Sequence, residues 1–210
     1  PLIEPLKATL LKMSKQNGYS DLKQLSIIST NCFAGRIVQY LNIQYNSPTV
    51  GLYFFYPDYI EFLNNLKYYL TEARIRFVKE SKYKLGNERY EAKNKSYPIG
   101  ILGDNVEIHF LHYHSEKEAE EKWYRRAARV NFNNLFIIGM YQNLCTIGDI
   151  NAFDTLPYKN KIMFSPKNIN LASNEYCEEF IKTECVGDPY KKGDIFYKHL
   201  VSHFSKNEKV

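Results

Sequence analysis

The chain has 210 residues, 44% of them hydrophobic, and a formal charge of +5, a size that fits one domain with a sizeable core. No segment approaches the roughly 18–20 continuous apolar residues of a membrane span. The opening Pro1-Leu2-Ile3-Glu4-Pro5 lacks a signal-peptide pattern, and the positive residues are dispersed among acids rather than gathered into a nucleic-acid-binding stripe. A cytoplasmic protein with no nucleic-acid partner is therefore expected. Four cysteines, Cys32, Cys145, Cys177 and Cys185, lack CxxC spacing and are expected to be reduced thiols rather than a disulfide framework or a zinc site.

Strand and helix signals alternate along the chain, which predicts an α/β fold: one three-layer α/β/α domain over residues 1–210 with a mixed, mostly parallel sheet and one β-hairpin. Leu25 to Ser29 reads as the first strand and Phe33 to Leu41 as the first helix, with Ile37, Val38 and Leu41 on its apolar side. Thr49 to Phe55 reads as a buried strand. From Pro57-Asp58 a long amphipathic helix is expected, because Ile60, Leu63, Leu66, Tyr69 and Leu70 recur at helical spacing. Lys79 to Lys95 is strongly charged and expected to face solvent. Gly103-Asp104-Asn105 between two apolar runs predicts a hairpin turn, since these residue types tolerate positive φ. Ser115 and Glu118 then form a capping-box pattern, opening a helix to about Val130 with Ala119, Trp123 and Ala127 inward. Asn134 to Tyr141 and Asn160 to Phe164 read as strands and Ile147 to Leu156 as a short helix. A C-terminal helical segment, about 174–207, is expected, with one helix over Asn174 to Thr183 and another over Ile195 to Phe204. There is no Gly-rich phosphate loop, GxSxG elbow or DxD tripeptide.

The most informative stretch is Ser26-Ile27-Ile28-Ser29-Thr30-Asn31-Cys32-Phe33-Ala34-Gly35-Arg36, a strand that turns through a polar corner into a helix. In open α/β sheets ligands and catalytic groups collect at such corners, and a helix start favours thiolate over thiol. Cys32 is thus the candidate nucleophile, expected to alkylate before the other cysteines. A nearby imidazole would take its proton, and backbone amides at the helix start would hold an oxyanion. His109, His112 and His114 lie within six residues. Strand alternation would put His112 and His114 on one face and His109 on the other, and His112 is the preferred partner. Arg36, one turn into the helix, is the favoured anion-binding group; Asn31 either orients the turn or adds an oxyanion donor; Arg125, Arg126 and Arg129 are expected to lie on a solvated face. The loop Tyr45-Asn46-Ser47-Pro48-Thr49 borders the same corner in this reading. The candidate catalytic residues are Cys32 and His112, and the candidate substrate-binding residues are Asn31, Arg36, Tyr45, Asn46, Ser47, His109 and His114. An HxH metal site lacks a third ligand, and no metal is expected.

An ordered set of blocks resembles one known family. Asn31-Cys32-Phe33-Ala34-Gly35-Arg36-Ile37, Tyr45-Asn46-Ser47-Pro48-Thr49-Val50-Gly51-Leu52, Tyr97-Pro98-Ile99-Gly100, Glu107-Ile108-His109-Phe110-Leu111-His112-Tyr113 with Ala119 and Trp123, and Phe153-Asp154 followed by Pro157-Tyr158-Lys159-Asn160-Lys161 look like the bacterial family DUF1919, often labelled exopolysaccharide biosynthesis protein. The resemblance spans roughly Leu25 to Ser165. It implies a role in surface-polysaccharide assembly and supplies no reaction. Joined to the cysteine and histidine pattern, it gives the expectation of a cytoplasmic transferase on a capsule or exopolysaccharide precursor, using acyl-coenzyme A or a nucleotide-sugar donor and taking a saccharide or sugar-nucleotide partner. A metal-independent glycosyltransferase and a non-catalytic glycan-binding or assembly protein are the alternatives.

Overall fold

A computed structural model describes residues 2–206; Pro1 and residue 207, the last of the expected C-terminal segment, lie outside the described residues. Four short strands, β1 (Ser26–Ser29), β5 (Leu135–Met140), β6 (Lys161–Ser165) and β7 (Asn174–Tyr176), form an all-parallel sheet in the order β1-β5-β6-β7. A second, antiparallel sheet contains β2 (Ile75–Val78), β3 (Ile99–Leu102) and β4 (Val106–His109). The expected hairpin is β3–β4, turned at Gly103 with φ +60°. Parallel and antiparallel strands thus occupy two sheets rather than one mixed sheet.

Alternation along the parallel strands sorts the core into two sides. Ile27, Phe136, Ile138, Met140, Ile162 and Phe164 face a cluster built with α1 (Ile3–Gln16), α2 (Phe33–Tyr40) and α8 (Gly193–Lys206). Ile28, Ile137 and Met163 face the other cluster, with α3 (Tyr56–Asn64), α4 (Leu66–Thr71), α6 (Glu116–Ala127), α7 (Ile147–Thr155) and the antiparallel sheet. The remaining helix, α5 (Lys84–Ala92), lies in the charged 79–95 stretch and closes on Ser81 through Gly86, where a Cβ would stand 2.1 Å from the Ser81 hydroxyl oxygen.

Several expectations are corrected. Thr49 to Phe55 is not a ladder strand: it runs between the sheets, Tyr53 exchanging both backbone bonds with His109 while the Phe54 N–H donates to the Thr30 carbonyl. Serving two partners in alternation, it pairs continuously with neither. The long helix after Pro57 breaks at Asn65 (φ −124°, ψ 34°) into α3 and α4. Asn174 to Thr183 is β7 plus a 3₁₀ turn over Glu178–Phe180, because the edge of β6 offers backbone partners that outweigh a weak local helical preference. Ser115 caps α6 as expected, accepting from the Glu118 N–H at 3.1 Å, but the Glu118 carboxylate reaches the N–H of His114 rather than that of Ser115.

Candidate functional site at the carboxyl edge of the parallel sheet

β1 ends at Ser29 and the chain turns through Thr30 and Asn31 to Cys32, the residue before α2. The first amides of α2 are already taken. The Phe33 N–H donates to Asn31 Oδ1 and the Ala34 N–H to Ser29 Oγ, each at 3.0 Å. Asn31 therefore acts as the local cap, and its amide also donates to Gln142 Oε1 at 3.0 Å, tying the corner to the loop after β5. Neither amide is open to an oxyanion.

Cys32 is buried, and its thiol donates to the Leu52 carbonyl at 3.5 Å. Burial, reinforced by the charge of Asp188, pushes the thiol up to about 12. The expected lowering by the helix start is reversed, because removal from water disfavours the charged form more than the dipole of a two-turn helix favours it. In this state Cys32 is a neutral hydrogen-bond donor.

His112 lies past the end of β4, outside the strand alternation, and is exposed at the surface. Its backbone N–H donates to the Gly51 carbonyl at 2.9 Å, so the His112 backbone and the Cys32 thiol hold neighbouring carbonyls of one segment. Gly51 has φ +71°, a conformation that favours glycine, and a Cβ there would crowd His112 Cβ at 3.3 Å. Partial desolvation and the nearby Lys93 hold the imidazole below its usual value, leaving it neutral at pH 7. The His112 and Tyr190 rings are 6.2 Å apart, and the Arg36 guanidinium lies 5.2 Å from the Tyr190 ring centre.

The other candidates divide. Tyr45 faces this edge beneath the Arg126 guanidinium, 4.8 Å from its ring centre. Asn46 is buried, its amide donating to the carbonyls of Lys23 and Leu25, before β1 and away from the Cys32 corner. Ser47 is buried against Thr49 at 2.9 Å, and Thr49 in turn accepts from the Ser29 N–H; these residues satisfy the free edge of β1. His114 is exposed.

His109 belongs to a different, enclosed network. Its Nε2 lies 2.7 Å from Glu107 Oε1, its Nδ1 3.2 Å from the Tyr97 hydroxyl, and its ring stacks on Tyr53 at 4.5 Å. Ser81 donates to the same Glu107 oxygen, and the Lys82 N–H to the other. Because Ser81 and Glu107 converge on one imidazole nitrogen, His109 cannot relay a proton between them as the central base of a triad does. The network joins β4 to the chain on both sides of α5, to Ser81 and Lys82 before it and to Tyr97 after it.

Sequence reasoning missed Tyr190, Tyr113 and the inward role of Arg126. Arg126 donates to the Tyr113 hydroxyl at 2.7 Å, which donates to the Val50 carbonyl at 2.6 Å. The arginine-rich pattern was visible, but its direction depends on which side of α6 meets the 45–50 loop. Surface cavities of about 380 and 490 Å³ open elsewhere, one against α1 and α8 and one beside α4. The carboxyl edge is the stronger candidate, since among the described residues it combines an imidazole, a thiol and arginines without ion-pair partners at the end of parallel strands. Among the described residues no group of three or more His, Cys, Asp and Glu side chains is arranged to hold a metal ion.

The fold and this edge define an α/β protein with a polar, arginine- and tyrosine-bearing face at the carboxyl end of its parallel sheet. The chain belongs to the family described as Domain of unknown function (DUF1919), whose model matches residues 7–208. It is also 39% identical over 168 residues to an uncharacterised protein of Haemophilus influenzae, covering 80% of this chain and 74% of that protein.

Proposed function

We propose that the protein is a cytoplasmic transferase acting on a saccharide precursor of a capsule or exopolysaccharide, with the precursor bound at the carboxyl edge of the parallel sheet. The observation that carries this reading is the gathering of Cys32 and His112 on the adjacent Leu52 and Gly51 carbonyls, with Arg36 and Tyr190 beside them. The neutral imidazole of His112 takes the proton of an acceptor hydroxyl, whose oxygen attacks the donor carbon. The bond to the leaving phosphate breaks, and the charge that develops there faces Arg36. Direct transfer from a sugar nucleotide suits a thiol held protonated and helix amides already occupied. A second reading, acyl transfer from acyl-coenzyme A through Cys32, is favoured by the placement of that thiol at the start of α2 and requires its contact with Leu52 to break.

The test is incubation with a panel of sugar nucleotides, acyl-coenzyme A donors and saccharide acceptors, read by mass spectrometry. Direct transfer predicts a modified acceptor that is lost in His112→Ala and retained in Cys32→Ala. A thioester on Cys32 supports the acyl reading instead. No product across the panel, with binding of polysaccharide fragments that survives both substitutions, makes the protein a glycan-binding subunit.

A further inference from the structure

Two arginine–tyrosine pairs, Arg36 with Tyr190 and Arg126 with Tyr45, make an arc at this edge, Tyr190 within electrostatic reach of both Cys32 and Tyr45, and Tyr113 within reach of both Arg126 and Cys32. The Arg36 guanidinium lies over the Tyr190 ring, and its Nε is buried without a hydrogen-bond partner. Gly193, the first residue of α8, comes so close that a Cβ there would stand 2.5 Å from that Nε. Packing, rather than an acid, therefore fixes Arg36. On the other side Arg126 is steered by the Tyr113 hydroxyl and covers the Tyr45 ring, while Arg129 donates to the Tyr45 carbonyl at 3.4 Å.

Among the described residues none of these three arginines has a carboxylate within ion-pair distance. The acids nearby are otherwise engaged: Asp188 accepts from the N–H groups of Tyr190 and Lys191, and Glu118 pairs with Lys122. Positioned guanidinium groups without acidic partners are suited to a doubly charged anion, which their planar forks bind through paired N–H donors. The half-exposed ring of Tyr190 adds a flat apolar face beside the charge.

We infer that this arc binds a nucleoside diphosphate, with Arg36 and Arg126 on the diphosphate and Tyr190 against the base. The inference rests on the carboxyl edge being the ligand face and names the donor that the proposed transferase would use, but it requires no turnover. It is tested by calorimetric titration of the full chain with uridine diphosphate, guanosine diphosphate, uridine monophosphate and inorganic pyrophosphate. A nucleoside diphosphate should bind more tightly than both the monophosphate and pyrophosphate. Arg36→Lys and Arg126→Lys, which keep the charge and lose the fork, should each weaken it by roughly tenfold or more, as should Gly193→Ala through displacement of Arg36. The exposed Arg125→Lys should leave binding unchanged, and melting curves confirm that each variant is folded. Failure of both diphosphates to bind, or unchanged affinity in the folded Arg36 and Arg126 variants, overturns the inference. Pyrophosphate binding as tightly as the nucleotides overturns its nucleoside half. Diphosphate binding without any transferred product leaves this inference standing while the transferase reading fails.

Discussion

Cys32 shows how far a local motif can be read. Its place at the end of a strand and the start of a helix follows from Ser26 to Arg36 alone, whereas its ionisation depends on burial by the surrounding fold and on the charge of Asp188, far along the chain. With the thiol held at about 12, near-neutral iodoacetamide should label Cys32 more slowly than the exposed Cys185. Site-resolved mass spectrometry after brief, limiting treatment measures this; fastest labelling at Cys32 would restore the activated nucleophile. His109 was equally visible as a histidine, but its enclosure was not, because Tyr53, Ser81 and Tyr97 reach it from three separate segments. Burial works to raise the Glu107 carboxyl, yet bonds from His109, Ser81 and the Lys82 N–H outweigh it and hold the group below the usual range. Its stabilising contribution is therefore present above the unfolded carboxyl pKa and lost as pH falls through the lower folded value. His109→Phe removes one hydrogen-bond partner of a fully buried carboxylate and should cost about 1.5–3 kcal/mol, read by chemical denaturation. A loss below about 1 kcal/mol would show that the pair is not a structural tie.

At the level of elements, long periodic segments were legible and short ones that take their form from neighbours were not. The α6 and α8 helices follow from their apolar spacing and, in α6, from the Ser115 cap. The α1 helix was overlooked although Leu6, Leu10 and Met13 carry the same period. β7 was read as helix because its form comes from β6 and from the histidines of α8. The buried Glu175 of β7 takes His199 Nδ1 at 2.8 Å and His203 Nδ1 at 3.0 Å, and His199 Nε2 reaches Glu179 at 2.9 Å. The bond to Glu175, opposed by burial and aided by Glu179, raises the His199 pKa above its usual value. A raised folded pKa means stabilisation that is complete below the unfolded value of about 6.5 and disappears as pH rises through the folded value. Thermal melts from pH 5.5 to 8.5 should therefore show this contribution fading in the wild type and missing in His199→Gln. Identical pH dependence of the two proteins would contradict the latch between α8 and β7.

For the whole molecule, the sheet's carboxyl edge was legible because β1 and its corner carry it in one stretch of chain, while the rest of the edge is assembled by tertiary packing. Tyr190 arrives from the link before α8, Arg126 from α6 and Gly51 from the segment that joins the two sheets. Gly139, in the central strand β5, shows how tightly the layers meet: a Cβ there would stand 2.5 Å from the Tyr56 hydroxyl and 2.6 Å from Met163 Sδ. Gly139→Ala should cost about 1–3 kcal/mol by overpacking, seen as a lower denaturation midpoint; an unchanged midpoint would mean that the layers separate freely. The central claim is that the carboxyl edge is the ligand face, and backbone amide shifts on titration with a panel of sugar nucleotides test it most directly. The account predicts that shifts concentrate at Thr30 to Arg36, Gly51 to Tyr53, His112 and Asp188 to Lys192. Shifts confined to the Ala8 to Met13 cavity, or to the network around Glu107 and His109, with the edge unmoved, would contradict it.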